Sequence, residues 1–158
     1  METAIIESPI GNIRISADQE GLTELRFRDQ PLTGKPKSDV LAVTVKQLQE
    51  YFAGKRQVFD LPLNPQGTDF QRQVWRQLLS VEFGDTTSYG DIAKTIGKPT
   101  ASRAVGAANG QNPISIIVPC HRIIGSSGKL TGYAGGLERK QWLLNHEYKT
   151  AGGVEELF

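Results

Sequence analysis

The sequence predicts an α+β protein in two parts: a small N-terminal unit of antiparallel strands with one helix, then a mostly helical unit. Three observations lead there. Over roughly the first 30 residues, short apolar runs alternate with turn residues, as in a meander. Pro62, Pro65 and Gly67 then mark a linker. From Thr68 onward the apolar spacing becomes helical, with repeated interruption by Gly and Pro. The 158 residues fit one ordinary domain or two small ones, and a hydrophobic fraction of 38% is enough for a core. The expected parts are 1–63, 64–150 and a frayed tail, 151–158.

In the first part, Thr3 to Glu7, Ile13 to Ala17 and Leu22 to Phe27 read as strands, parted by Pro9-Ile10-Gly11 and by Asp18 to Gly21. After a polar loop from Gln30 to Lys37, Ser38 can cap a helix. Its apolar residues Leu41, Val45, Leu48 and Phe52 recur at helical spacing, and Gly54 closes it. Val58 to Leu61 is expected to add another strand to the sheet.

In the second part, Thr68 or Asp69 can cap a helix carrying Phe70, Val74, Trp75, Leu78 and Leu79. Ser88 can cap a second, from Tyr89 to Ile96, ended by Gly97. Pro99-Thr100 starts a third, Ala101 to about Asn109, rich in small residues and projecting Arg103. Two short helices joined by Gly-Lys-Pro-Thr resemble a helix-turn-helix, although such pairs also occur as plain packing units. The apolar run Ile114 to Val118 reads as a buried strand that delivers Pro119-Cys120-His121. Gly125-Ser126-Ser127-Gly128 and Gly132-Tyr133-Ala134-Gly135-Gly136 enclose a hairpin or loop that lets a ligand or backbone come close. A closing helix, Leu137 to Glu147, is expected to bury Trp142, Leu143 and His146 on one side.

Composition excludes several classes. One Cys cannot make an intrachain disulfide, and one Cys with two His cannot assemble a structural zinc site. No charged segment followed by an apolar run opens the chain, and no stretch reaches membrane-span length, so a cytoplasmic protein without a membrane partner is expected. The net charge of +1 hides an asymmetry: residues 1–63 hold eight Lys and Arg against nine acids, residues 64–150 ten against six. Between Ile92 and Leu137 stand Lys94, Lys98, Arg103, Arg122 and Lys129 with no acid. Such a segment suits an anionic partner, nucleic acid being the commonest, and equally suits a solvated surface.

Cys120 and His121 are the candidate chemical pair. A thiol is only a few per cent ionised at neutral pH and needs a neighbouring base or cation to act as a nucleophile. His121 and Arg122 could supply both. A lone Cys can also be a small buried hydrophobe, and the residues alone leave both readings open.

The run Pro119-Cys120-His121-Arg122, preceded by Gln111-Asn112-Pro113 and followed by Gly132-Tyr133-Ala134-Gly135-Gly136-Leu137, resembles the O6-alkylguanine-DNA alkyltransferases. The small bacterial methylated-DNA-protein-cysteine methyltransferases are the nearest in pattern. The resemblance is close from Thr68 to Glu147 and takes in Thr87-Ser88-Tyr89-Gly90, Ser102-Arg103-Ala104-Val105-Gly106 and Trp142-Leu143-Leu144. Residues 1–63 match in length and layout only. The resemblance implies a ribonuclease H-like first domain and a winged helix-turn-helix DNA-binding domain that carries the active-site Cys120.

It further implies direct-reversal DNA repair, in which Cys120 irreversibly accepts the alkyl group of O6-alkylguanine, each molecule acting once. His121 would act as base through a water and be held by Glu147, following the logic of nucleophile, base and orienting acid. Lowering the thiol pKa from about 8.5 by about two units would make the thiolate the major form near neutrality. Asn112 would brace the turn carrying Cys120, and the Tyr89 hydroxyl would serve the departing guanine. Arg103 would take the vacated place of an extruded nucleotide. Its helix would enter the minor groove, where Ala101, Ala104, Gly106, Ala107 and Ala108 permit close approach. Tyr133, Ala134 and Gly135 would wall the base pocket, and Ser126 would touch DNA backbone. Ala134 departs from the Ser of some members, which leaves a backbone N–H as donor and room for larger alkyl groups or O4-alkylthymine. His146 has no role in this scheme. The implied partner is double-stranded DNA carrying alkylated bases, bound with little sequence preference by a monomer without cofactor or metal.

Two other classes compete. A winged-helix regulator or a lesion sensor would bind without reacting, but the sensors carry another residue in place of the Cys. A cysteine hydrolase would rarely draw its dyad from adjacent positions, and the basic segment would be left without a purpose.

Overall fold

The computed structural model describes residues 1–153 and residue 158. The chain divides into two compact units, Met1–Gln66 and Gly67–Phe158.

The first unit holds β1 (Glu2–Ile6), β2 (Ile13–Asp18) and β3 (Gly21–Phe27), an antiparallel sheet in the order β1-β2-β3, followed by α1 (Asp39–Phe52). Asp18 makes the β2–β3 turn by accepting from the backbone N–H of Glu20 and Gly21. Gly21 is required there: its φ is +147°, and a Cβ would lie 2.6 Å from the Pro62 carbonyl oxygen. Ile13, Ile15 and Ala17 face the core at period two. On β3 the period slips, because Ala17 pairs with Leu22 and Ser16 with Glu24, leaving Thr23 as an extra residue. That bulge turns both Leu22 and Leu25 inward.

Ser38 caps α1 by accepting from the Leu41 N–H at 3.3 Å. The buried face is Leu41, Thr44, Gln47, Leu48 and Tyr51, rotated from the expected apolar stripe, so Val45 and Phe52 are only half-buried. The expected strand at 58–61 does not form. Gln47 takes both backbone groups of Asp60, donating to its carbonyl at 3.0 Å and accepting from its N–H at 2.9 Å. A residue bound on both sides by a helix side chain has nothing left for a ladder. Only one residue pair reaches the sheet, a parallel bridge between Leu22 and Leu63.

The second unit contains α2 (Asp69–Leu78), β4 (Thr87–Ser88), α3 (Tyr89–Thr95), α4 (Ser102–Gly110), a 3-10 turn (Cys120–Arg122), β5 (Ile123–Ile124) and α5 (Leu137–Thr150). Thr68 and Gln71 form a reciprocal capping box on α2, and Ser88 caps α3. A Schellman pair ends α3: the Gly97 N–H bonds the Lys94 carbonyl and the Lys98 N–H bonds that of Ala93, with Gly97 at φ +78°. The chain then reverses into α4, which α2 holds through a Trp75 Nε1 bond to the Ala108 carbonyl at 2.8 Å. β4 and β5 pair in parallel, joining the start of α3 to the end of the 3-10 turn.

α5 extends past the expected end at Glu147 and buries Lys140, Leu143, Leu144, Asn145 and Glu147. Trp142 and His146 are half-buried instead and stack on each other at 4.8 Å. Successive turns of one helix place them side by side, off the core-facing stripe. Of the expected frayed tail, residues 154–157 lie outside the described residues; the Phe158 backbone exchanges two hydrogen bonds with the Asn145 side chain. No helix among the described residues is long and apolar enough to cross a membrane.

Candidate functional site

Cys120, His121 and Arg122 form a 3-10 turn of the second unit, all three buried. The run before them does not form the expected strand. Ile117 N–H donates to the Ser115 carbonyl at 2.8 Å and Val118 N–H to that of Ile114 at 3.1 Å, so the segment folds into consecutive turns. Ile116 takes φ +72° to allow this. A left-handed β-branched residue costs of order 1–3 kcal/mol.

Asn112 offsets that strain. Its Nδ2 donates to the carbonyls of Val118 at 2.9 Å and Ile114 at 3.4 Å, while its Oδ1 accepts from the Ile114 N–H at 3.0 Å. One buried side chain thus ties both ends of the turn. Asn109 adds a long bond, 3.4 Å, to the Cys120 carbonyl.

Glu147 sets the charge of the turn from α5. His121 Nε2 lies 2.7 Å from Glu147 Oε2, and Arg122 donates from Nε to Oε1 at 2.8 Å and from Nη2 to Oε2 at 3.2 Å. Burial would raise the Glu147 pKa. The charge and hydrogen bond of His121, then those of Arg122, outweigh it and hold the carboxyl well below the ordinary range. A carboxylate can only accept, so His121 Nε2 carries a proton, and it is the uncharged form of the ring that has its lone pair on Nδ1. That Nδ1 is buried and has no hydrogen-bond partner. A poised acceptor therefore sits one residue from the thiol. Arg122 also donates to the Val81 carbonyl at 2.6 Å and lies over Phe83, which locks it as a structural cation.

Cys120 departs from the sequence expectation. Burial pushes the thiol up, to about 11; Asn112, Lys140 and Ser115 pull the other way without overcoming it. In this form it is a protected thiol, and its proton must be removed at the moment of reaction. Among the described residues, no cluster of three or more His, Cys, Asp or Glu could hold a metal ion.

Tyr89 begins α3, half-buried, with its hydroxyl hydrogen-bonded to Thr131 Oγ1. Its ring covers Gly106 of α4: a Cβ there would lie 3.6 Å from two ring carbons, an ordinary contact. Gly106 is thus partly screened, whereas Arg103, Ala104 and Ala107 of the same helix are exposed. Tyr133 is half-buried; its hydroxyl is buried without a hydrogen-bond partner, and burial raises its pKa well above the ordinary value. Ala134 is exposed, as is Ser126, which lies in a tight turn closed by the Gly128 N–H on the Gly125 carbonyl. Gly135 offers its carbonyl to Arg139 at 3.0 Å.

The structure therefore gathers Cys120, His121, Glu147 and Asn112 into one bonded cluster, and connects Tyr89 to the loop that carries Tyr133. It also brings in groups not singled out from sequence. Thr131 meets the Tyr89 hydroxyl, Asn109 meets the Cys120 carbonyl, and Lys140 is fully buried behind the turn. Lys140 could have been found: it precedes Leu143, Leu144 and Glu147 at helical spacings of three, four and seven.

Known proteins match both parts of the chain. Residues 1–65 match the model for the 6-O-methylguanine DNA methyltransferase ribonuclease-like domain, and residues 69–149 match that for the DNA binding domain of the same proteins. A methylated-DNA-protein-cysteine methyltransferase of Methanosarcina acetivorans is 50% identical, with 93% of this chain and 98% of that protein covered. One from Mycolicibacterium paratuberculosis is 48% identical over 100% of this chain and 99% of its own. The structure of Mycobacterium tuberculosis OGT in complex with DNA superposes with a TM-score of 0.87 at 47% identity, covering 99% of this chain and 98% of that one.

Proposed function

The chain belongs to the O6-alkylguanine-DNA alkyltransferase family, and from that membership we propose that Cys120 is the group that accepts the alkyl. Its activity is that of a methylated-DNA-protein-cysteine methyltransferase, which repairs DNA by alkyl transfer, and DNA is its partner. The observation that carries Cys120 is the buried His121–Glu147 pair beside it, whose free Nδ1 is oriented by a carboxylate on the other ring nitrogen.

In the proposed sequence, the Cys120 proton passes through a water to His121 Nδ1, and Glu147 stabilises the imidazolium so formed. The thiolate sulfur attacks the alkyl carbon in line. An S–C bond forms, the C–O6 bond breaks, and its electron pair leaves on the guanine, which takes up a proton. Tyr89 would serve that end, because an unassisted guanine anion leaves poorly. The product is a thioether with no group to expel it, so each molecule transfers once. Burial of the resting thiol suits this one-use role: Cys120 is shielded from other electrophiles until a base is delivered to it.

For duplex DNA, the target nucleotide must leave the stack at a cost of a few kcal/mol. Exposed Arg103, flanked by the short side chains of Ala104 and Ala107, is the residue we assign to the vacated place, from the minor groove. Tyr133, Ala134 and Gly135 would line the base pocket and Ser126 would touch the phosphate backbone. The methyl-bearing Ala134 gives no side-chain hydrogen bond to the base, which suits O4-alkylthymine as a second substrate.

Incubation with a duplex containing O6-methylguanine tests the assignment. Tryptic peptides should show one added methyl on the peptide bearing Cys120 and none elsewhere. Several turnovers per molecule, or repaired DNA beside an unmodified Cys120, would overturn it.

A further inference from the structure

Among the described residues, three buried side-chain atoms have no hydrogen-bond partner: His121 Nδ1, the Tyr133 hydroxyl and Asn109 Oδ1. His121 Nδ1 is the acceptor for the thiol proton and Tyr133 is assigned to the pocket wall, but the scheme above gives Asn109 Oδ1 no task. Asn109 is buried in the last turn of α4, and its Nδ2 donates to the Cys120 carbonyl at 3.4 Å. That contact fixes which way the amide lies. Turned over, its oxygen would oppose the carbonyl oxygen, so the NH2 faces Cys120 and Oδ1 is left over.

As a brace alone, Asn109 would be a poor choice. Its bond to Cys120 is longer than the usual limit of about 3.2 Å, and a buried acceptor without a partner forfeits the hydration it had in the unfolded chain. Its place along α4 gives the oxygen a use. Arg103, Gly106 and Asn109 follow one another at intervals of three, a ridge that runs from exposed through half-buried to buried. At about 1.5 Å per residue it is about 9 Å long. Arg103 heads it, the Tyr89 ring covers its middle at Gly106, and Asn109 ends it beside Cys120. The ridge thus leads from the residue assigned to the vacated place in the stack, past the one assigned to the departing guanine, to the turn that takes the alkyl. Cys120 and Asn109 are closed off together, at 3% and 5% exposure, so a base admitted to the thiol is admitted to the amide.

O6-alkylguanine brings a donor to that place. On its pairing edge, O6 and the exocyclic 2-amino group flank N1, and an alkyl on O6 leaves N1 without a hydrogen, so the amino group is the only donor of the edge. We propose that Asn109 is a specificity-determining residue: its Oδ1 accepts a hydrogen bond from the 2-amino group of the extruded O6-alkylguanine and ranks that lesion above O4-alkylthymine. Thymine carries a carbonyl oxygen, O2, at the corresponding position. Two acceptors then oppose each other, and the amide cannot turn over without opposing the Cys120 carbonyl. The proposal rests on the alkyltransferase reading and names the base that its site prefers.

The amino group can be removed without touching the protein. The substrates are duplexes carrying one O6-methylguanine, one O6-methylhypoxanthine, which differs only in lacking that group, or one O4-methylthymine. The readout is the single-turnover rate of Cys120 methylation, followed by peptide mass. Wild type should react at least about tenfold faster with O6-methylguanine than with O6-methylhypoxanthine, because the analogue leaves Oδ1 unpaired. Rates within about twofold of each other overturn the proposal, and this arm needs no variant to fold. A chain that takes no methyl from O6-methylguanine overturns the alkyltransferase reading and the proposal with it, which is a different result.

Asn109→Ala removes the acceptor and completes the cycle. It should bring the two purine rates within about threefold of each other and narrow the preference for O6-methylguanine over O4-methylthymine by about the factor lost between the purines. Comparing ratios cancels any difference in how readily the duplexes release the base. A lost brace on the Cys120 carbonyl would slow all three lesions alike, so lesion ratios unchanged from wild type overturn the proposal.

Discussion

Glu147→Gln is the substitution on which the site's logic bears hardest. The carboxylate accepts three bonds, one from His121 and two from Arg122. An amide of the same shape can accept on one atom only. If its oxygen stays with Arg122, its NH2 faces His121 Nε2, which must then become the acceptor, and the ring proton moves to Nδ1. The lone pair needed for the Cys120 proton is gone, and the imidazolium has lost its anion. General-base assistance contributes roughly 10²–10⁴-fold. The alkylation rate should fall by that range, about 2.7–5.4 kcal/mol in barrier at 1.36 kcal/mol per tenfold.

The assay is the single-turnover rate of Cys120 benzylation by free O6-benzylguanine, which requires no DNA. Stability must be followed in parallel, because Arg122 is left buried beside a neutral group. Removing one partner of a buried pair costs about 3–5 kcal/mol, and an amide that keeps one bond should fall at or below the lower end. Both tryptophans, Trp75 and Trp142, belong to the second unit, so their fluorescence in a urea titration reports that unit alone. The acid limb gives a further check. The Glu147 pKa is depressed in the fold, so its contribution is complete above the unfolded value near 4.5 and is lost as pH falls towards the folded one. Wild type should lose up to about 1.4 kcal/mol per pH unit through that window from this group, and Glu147→Gln should lack that component. A folded Glu147→Gln protein that reacts within about threefold of wild type would refute the role of His121 as base.

Arg103→Ala should slow repair of O6-methylguanine in duplex far more than reaction with free O6-benzylguanine, since only the duplex requires extrusion; equal losses, measured under single-turnover conditions, would contradict its assignment. Asn112→Ala removes three hydrogen bonds, so at about 1 kcal/mol per bond it should destabilise the second unit by about 3 kcal/mol, read by tryptophan fluorescence in urea. A Cys120→Ala variant should bind alkylated duplex without repairing it, as a gel-shift and a repair assay on one preparation would show.

The sequence exposed those parts of the molecule that local chemistry decides. Ser38, Thr68 and Ser88 are caps because each has an oxygen that reaches the N–H three residues on, which is visible in any short window. The misses are places where a distant side chain competes for backbone. Asp60 would be a strand residue if Gln47 were elsewhere, and Ile114 to Val118 would be a strand without Asn112. In both cases a buried amide replaces a sheet ladder, and apolar periodicity carries no trace of it.

The same limit applies at the reacting group. Adjacent Cys and His suggest a thiol with a lowered pKa, but adjacency along a 3-10 turn says nothing of desolvation, and burial sends Cys120 the other way. The partner of the candidate base comes from α5, where Glu147 stands on the buried face. Helical spacing makes that face readable, but a periodicity search for apolar positions discards charged residues before asking why they are buried.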